Sequence, residues 1–327
     1  MNIDVFNGDA DGIFSLIQLR KEFAVAPSQQ LLVTGVKRDH ALLQHVTDQQ
    51  AQGADIQVLD LPFDKNSAEL PRLLKVARSV SYIDHHFATT QLTHKRLVTL
   101  FDFAPTVCTG LLVSAHLRHN QLIWAVPAAF GDNLYAEAYE QCRRLGLSPA
   151  AAELLRELGM LVNYNSYGLS LADVHIAPAT LYQQLMAYES PLAVVADGSA
   201  TAPFKRLQQG YAADIELAQS AEVLAATPAL RAVLLPAAAW ARRINGTLAN
   251  QLAEEFPHQA IVMVTLNPDG QSYYINLRAP QSNRSGAGDI CARYPNGGGR
   301  AGAGGINALP LTELDALIET VNDYYSL

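Results

Sequence analysis

Short β-branched runs alternate with longer amphipathic stretches along the first part of the chain. Residues 3–6, 31–34, 55–59 and 80–83 have the length and composition of strands. Between them, 13–23, 40–50 and 67–77 carry apolar residues at helical spacing. This rhythm predicts an α/β domain: a parallel sheet with helices on both faces, whose ligands sit at the carboxyl ends of the strands. From about Pro105 to Tyr188 the pattern turns helical. Ser148-Pro149 supplies an N-cap and first-turn pair for a helix over 150–161, and Thr180 can start another.

A stretch over 197–209 mixes Gly, Ser, Pro and basic residues and marks a boundary. The expected division is an N-terminal domain over 1–200, a helical linker over 201–230 and a smaller C-terminal α+β domain over 231–327. Thr227-Pro228 opens a helical pattern broken at Pro236, and 246–255 offers another helix. Two strands, 260–266 and 271–278, flank the turn Asn267-Pro268-Asp269-Gly270. In the second of them Ile275 and Leu277 share one face, and Tyr274, Asn276 and Arg278 the other. Thr312 with Asp315 has the spacing of a capping box for a terminal helix.

Length and composition narrow the functions open to such a fold. The 327 residues suffice for two domains, and 49% apolar with 17% charged residues excludes a disordered chain. A net charge of −8 argues against a broad basic cradle for nucleic acid, while leaving room for a local basic pocket. Cys108, Cys142 and Cys291 are far apart and show no CxxC spacing, as expected of buried thiols in a reducing compartment. No apolar run approaches the roughly 18 residues that span a bilayer. No basic and apolar leader precedes the first strand, so a cytoplasmic location without a membrane role is expected.

The candidate chemistry lies just after the predicted strands, in Asp9-Ala10-Asp11-Gly12, Asp60 and Asp84-His85-His86, with Asp132 following later. Carboxylates that converge without a basic partner raise one another's pKa and call for a cation. Oxygen ligands with an imidazole suit Mn²⁺, Mg²⁺ or Zn²⁺, and two ions sharing a carboxylate would serve phosphate-ester hydrolysis. Taken singly, each cluster has an ordinary reading. D-x-D-G is a turn with a helix cap, Asp60 a strand end, Asp84-His85-His86 a cap with two exposed imidazoles, and Phe130-Gly131-Asp132-Asn133 a turn. The glycine-rich stretch 297–305 could cradle a phosphate with Arg300 or form a flexible loop, and Arg278 could converge with it or pair on the surface. Lys37-Arg38-Asp39-His40 either adds positive charge to the crevice or starts a solvated helix. Asn163-Tyr164-Asn165-Ser166-Tyr167-Gly168 either stacks a base or makes a turn.

Asp84-His85-His86, preceded by Ser81-Tyr82-Ile83 and combined with Asn7-Gly8-Asp9-Ala10-Asp11-Gly12, resembles the DHH phosphoesterase superfamily. The 297–305 stretch resembles the glycine-rich signature of the DHH-associated C-terminal domain, so the resemblance covers nearly the whole chain. It embraces RecJ-like, nano-RNase and exopolyphosphatase-related branches. It implies a two-domain hydrolase with a dinuclear centre, usually Mn²⁺, with Mg²⁺ or another divalent ion as the alternative. Asp9, Asp11, Asp60, His85 and Asp132 would be the metal ligands, Asp60 the bridge, Asp84 the residue orienting an imidazole, and His86 the group facing the scissile phosphate. Arg278, Gly297, Gly298, Gly299 and Arg300 would hold the substrate.

The implied activity is two-metal hydrolysis of phosphodiester or phosphomonoester bonds in short oligonucleotides or small nucleotides. An exopolyphosphatase-like or pyrophosphatase-like hydrolase and a catalytically degenerate nucleotide-binding regulator are the alternatives. The acidic charge favours a short substrate over a long duplex, and a homodimer is left open. Two positions depart from the family pattern. Val5 stands where many members have a metal-binding His, and Arg300 where the family usually has His. Arg keeps a phosphate contact but donates no proton at neutral pH.

Overall fold

The computed structural model describes residues 1–326, which form two compact units, Met1–Gln209 and the residues from Gly210 on. The first unit is built on five strands: β1 (Asn2–Phe6), β2 (Gln30–Thr34), β3 (Asp55–Leu59), β4 (Ser79–Asp84) and β5 (Leu97–Phe101). They pair in the order β2-β1-β3-β4-β5, every pair parallel, as the alternation predicts. The sequence reading missed β5, an edge strand whose Val98 and Thr99 are exposed.

Period-two alternation assigns the faces. Ile3 and Val5 enter a core with Val58, Tyr82, Leu43 and Leu73. Asp4 points the other way and is buried against Arg20 of the helix Ala10–Glu22. The expected 40–50 helix is a 3₁₀ turn, Leu42–His45, and a short helix, Asp48–Ala51, which Thr47 and Gln50 start as a capping box. The helical region contains Thr109–His116, Leu122–Gly131 and Pro149–Asn165, the last capped as expected by Ser148, which accepts from the Ala151 N–H at 3.2 Å. The helix expected at Thr180 starts earlier and runs over Pro178–Met186, with Pro in its first turn.

The second unit begins well before residue 231. The expected linker is a helix, Pro203–Ala218, followed by the strands β6 (Glu222–Ala226) and β7 (Leu230–Leu235) in place of the helix expected after Thr227-Pro228. Leu-Arg-Ala-Val-Leu-Leu is apolar on both faces, and periodicity alone does not separate such a run from a buried helix. Thr227 instead makes the turn, its Oγ1 accepting from the N–H groups of Ala229 and Leu230. With β8 (Ala260–Leu266), β9 (Ser272–Arg278), β10 (Gly297–Arg300) and β11 (Ala303–Pro310), these strands form a sheet ordered β10-β11-β9-β8-β7-β6. Only β7 and β8 pair in parallel. The terminal helix, Leu314–Tyr325, has no capping box, because Thr312 lies in a preceding 3₁₀ turn. Among the described residues no helix is long and apolar enough to cross a membrane, and all three cysteines are buried and free.

The glycine-rich stretch is a hairpin, not a flexible loop. Its register pairs Gly298 with Gly305 and Gly299 with Gly304. A Cβ on Gly304 would stand 2.6 Å from the carbonyl oxygen of Ala287, in the short helix Ala287–Cys291 laid against the hairpin, whereas one on Gly298 would meet nothing. We expect Gly304→Ala to lower the unfolding free energy by about 1–3 kcal/mol through overpacking. Gly298→Ala should stay within about 0.5 kcal/mol of the parent. Urea denaturation of the two variants compares them directly, and equal losses would remove close contact as the reason for the glycines.

Candidate metal centre

A parallel sheet brings all its carboxyl ends to one edge, so the loops after β2, β1, β3 and β4 lie side by side in that order. Asp9 caps the helix Ala10–Glu22, accepting from the Gly12 N–H at 3.1 Å. Two residues on, Asp11 turns its carboxylate to the start of the helix Thr109–His116, accepting from the N–H groups of Thr109 (2.8 Å) and Gly110 (2.7 Å). Asp60 follows β3 with φ at +58°, a left-handed backbone that aspartate tolerates better than most residues. Its Oδ1 accepts from the Thr109 hydroxyl at 3.0 Å. Asp84 ends β4 fully buried, and Asp132 follows the helix Leu122–Gly131.

The two histidines are oriented differently. His85 Nδ1 lies 2.9 Å from the carbonyl oxygen of Val107, which assigns the proton to Nδ1 and leaves a lone pair on Nε2. That Nε2 is 3.6 Å from Asp60 Oδ1, 3.9 Å from Asp11 Oδ2 and 3.9 Å from Asp132 Oδ2. His86 Nδ1 instead bonds Asp84 Oδ1 at 2.7 Å.

Ligand atoms of Asp11, His85 and Asp132 lie within 4.8 Å of one another, as do those of Asp60, His85 and His86. Separations of 3.6–3.9 Å are too long for hydrogen bonds and suit two ligands on one ion with bonds of about 2.0–2.2 Å. No Lys or Arg among the described residues forms an ion pair with Asp11, Asp60 or Asp132. Three acceptor carboxylates and a bare imidazole nitrogen therefore fit a divalent cation.

Electrostatics divides the site. Burial, together with the charges of Asp11, Asp9, Asp84 and Asp132, pushes the Asp60 carboxyl well above its usual range. Burial and Asp11 push Asp132 up to about 6. Asp9 behaves oppositely: burial disfavours its charge, but Lys37 beside it outweighs that and brings the carboxyl down to about 2. His86 is raised because the Asp84 hydrogen bond and charge overcome the cost of burial.

Of the residues singled out from sequence, Asp11, Asp60, Asp84, His85, His86 and Asp132 come together, while Asp9 sits beside them committed to Lys37. Lys37 thus joins the crevice rather than starting a solvated helix. Val5 is fully buried in the core, on a face that offers the edge no ligand. Tyr164 and Asn165 are buried in hydrogen bonds to His175 and Ile176, so neither stacks a base. In the second unit, Arg278 bonds Asn250 at 2.9 Å and also Asn276, whose amide reaches Asn245 at 2.8 Å. The face of β9 shared by Tyr274, Asn276 and Arg278 is thereby engaged by the helix Ala239–Glu255. Arg300 is exposed at the turn of the hairpin. Sequence reading missed Val107 and Thr109, whose roles depend on a chain reversal it has no means to place.

No family model matches the chain, and no curated protein matches it in sequence. Solved structures do match, each over 99% of its length. A DHH-domain protein of the S1p family of ribosomal proteins matches with TM-score 0.61 at 12% identity over 86% of that chain. Exonuclease RecJ bound to manganese matches with TM-score 0.52 at 19% identity over 90% of that chain. A pGpG-specific phosphodiesterase, PggH, from Vibrio cholerae matches with TM-score 0.52 at 12% identity over 98% of that chain. The chain has the fold of the DHH-domain proteins.

The raised carboxyls set a pH dependence. A folded-state pKa of about 6 at Asp132 means that the folded protein keeps a proton the unfolded chain releases near pH 4. Stability of the metal-stripped protein should therefore fall as pH rises from about 4 to about 6, by an amount on the order of 3 kcal/mol from this residue. Asp60 adds in the same direction, and His86 extends the fall above its usual 6.5. Mn²⁺ should reverse the loss, raising Tm more at pH 7.5 than at pH 5, because ligands must shed protons to bind it. Thermal unfolding across pH with and without Mn²⁺ measures this, and a pH-independent Mn²⁺ effect would contradict it.

Proposed function

We propose that the chain is a divalent-metal-dependent phosphoesterase that hydrolyses phosphodiester or phosphomonoester bonds of short oligonucleotides or small nucleotides. The reading is carried by one observation: Asp11, Asp60, Asp132 and the bare Nε2 of His85 meet at the carboxyl edge of the parallel sheet without a basic partner. Asp11, Asp60, His85 and Asp132 would hold a divalent ion, Mn²⁺ or Mg²⁺, which when bound would supply a Lewis acid for a phosphoryl oxygen and an activated water.

The chain's own groups do the rest. Val107 and Thr109 hold His85 and Asp60 in place by hydrogen bonds of 2.9 and 3.0 Å. Asp84 orients His86 and raises its affinity for a proton; in the protonated form its Nε2–H would donate to the phosphoryl oxygen or leaving group as negative charge builds there. In the second unit Arg278 and Arg300, with Gly297, Gly298 and Gly299 beside Arg300 on the hairpin, would be the groups that hold substrate phosphates, as the family resemblance implies.

Two further observations support a nucleotide substrate. Of the proteins that share the chain's fold, RecJ is an exonuclease and PggH a pGpG-specific phosphodiesterase. Phe87, directly after His86, is 75% exposed and meets the exposed Phe103 edge-on at 5.7 Å, a surface suited to stacking a base. The net charge of −8 supports a short substrate over a long polymer.

Metal-stripped protein given Mn²⁺ should turn over one class among di- to pentanucleotides, nucleoside bisphosphates, linear and cyclic dinucleotides and polyphosphate, followed by chromatography. Asp60→Asn keeps the left-handed backbone and should lose at least about 100-fold in kcat. Undiminished turnover in that variant would place the centre elsewhere. Phe87→Ala should raise KM for the nucleotide while leaving hydrolysis of an ester without a base unchanged. Equal effects on both would remove the stacking role.

A further inference from the structure

The loops after β1 and β2 approach until main chains touch: a Cβ on Gly8 would stand 1.8 Å from the Gly35 carbonyl oxygen. That approach delivers Lys37 to Asp9, with Nζ 2.5 Å from Asp9 Oδ2. The ammonium has further partners in Asn163 Oδ1 at 3.1 Å and the Tyr167 ring, 5.8 Å from its centroid. Asn163 is itself fixed, because its Nδ2 donates to the Tyr167 hydroxyl at 3.3 Å and so turns the amide oxygen toward the lysine. The lysine main chain is held on both sides. Its N–H donates to the Ser166 carbonyl at 3.0 Å, and its carbonyl accepts from Asn7 Nδ2 at 3.2 Å. This is a built cation position, not a surface lysine that swings onto an acid.

We propose that the centre takes a single exchangeable divalent ion, and that the Lys37 ammonium is a built-in cation standing where a second ion would otherwise share Asp9. The inference rests on the metal-centre reading given above. Asp9 commits Oδ1 to the Gly12 N–H and Oδ2 to Lys37, so each of its oxygens already has a donor on it. Val5, beneath Asp9 on the strand, brings no ligand to that side because it lies in the core. A dication bound to Asp9 would sit against the ammonium at contact distance, where two like charges repel strongly. The two trios Asp11–His85–Asp132 and Asp60–His85–His86 have no Lys or Arg among the described residues ion-paired to them, and both draw on the single Nε2 lone pair of His85, so they offer one place for an ion. Lys37, its side chain 30% exposed, can also meet a substrate phosphate from the β2 side of the crevice.

Counting bound ions tests the proposal without relying on activity. Mn²⁺ titration of the whole metal-stripped chain, by calorimetry and elemental analysis of the dialysed complex, should give one ion per chain, with the paramagnetic resonance pattern of an isolated ion. Asp9→Asn should still bind one, its dissociation constant changed by less than the roughly tenfold that disturbing a ligand costs. Lys37→Met frees the Asp9 carboxylate and should admit a second ion, seen as a count of two and an exchange-coupled spectrum. Circular dichroism establishes that the variants are folded. Should Lys37→Met fail to fold, Lys37→Met combined with Asp9→Asn removes the unpaired acid and should bind one ion. Two ions on the parent chain, or loss of the bound ion in Asp9→Asn, would overturn the inference, as would a folded Lys37→Met that still holds one. No bound ion at all would overturn the metal-centre reading with it. One bound ion without turnover of any phosphate ester would strike the hydrolase reading alone and leave the cation assignment standing.

Discussion

Neighbouring carboxylates in one dry crevice respond to their burial in opposite directions, and the first unit's chemistry follows from that split. Asp9 is brought down to about 2 while Asp60 and Asp132 are pushed up, although all three lie along the same sheet edge. Burial acts on each in the same sense, so burial does not explain the difference. Lys37 does: its ammonium touches Asp9 and outweighs burial there, whereas at Asp132 its more distant charge is outweighed by burial and Asp11, and at Asp60 burial and the neighbouring carboxylates dominate. The Asp9 side of the edge is thus balanced by the chain's own ammonium, and a cation bound among the other carboxylates would balance the rest.

Holding such a crevice open costs stability, and the surrounding structure is arranged to bear it. The start of one helix faces Asp11 with two N–H groups, its first hydroxyl holds Asp60, and the carbonyl just before that helix holds His85. Three site residues therefore depend on the single segment 107–110, which arrives from outside the sheet. Asp60 adds a left-handed backbone directly after β3, a conformation that persists only when its surroundings enforce it. Its N–H donates to the Ile83 carbonyl on β4 at 3.1 Å, tying the turn to the strand that carries Asp84.

What could be read from the sequence was whatever a strand end dictates locally. A carboxylate after each of three parallel strands implies convergence, because the topology alone brings strand ends together, and Asp11, Asp60 and His85 follow from that. The Lys37–Asp9 pair could be suspected but not assigned, since it depends on β2 lying next to β1 and on glycines at positions 8 and 35 that let the loops touch. Val107 and Thr109 were out of reach for a related reason: their roles depend on where a helix outside the sheet begins. The second unit was harder still. Residues 230–235 are apolar on both faces and carry no period, and a run of glycines reads as a loop until the helix packed against it is known.

A lysine and a divalent ion are not equivalent ways of neutralising an acid, and the difference divides the labour within the crevice. An ammonium balances charge and meets a phosphate oxygen, but it is fixed to the chain and survives chelation. It presents no open coordination position and does not generate a nucleophile from water at neutral pH, which an ion does. On the proposed reading the water-activating role would fall to the side of the crevice where Asp11, Asp60, His85 and Asp132 meet, and the Asp9 side would be left with charge balance and substrate contact. Departure of Val5 from the family pattern is consistent with this division. Once a lysine anchored by Asn7, Asn163 and Ser166 occupies the Asp9 side, a histidine on β1 would have no ion to bind, and the position is free to serve the core.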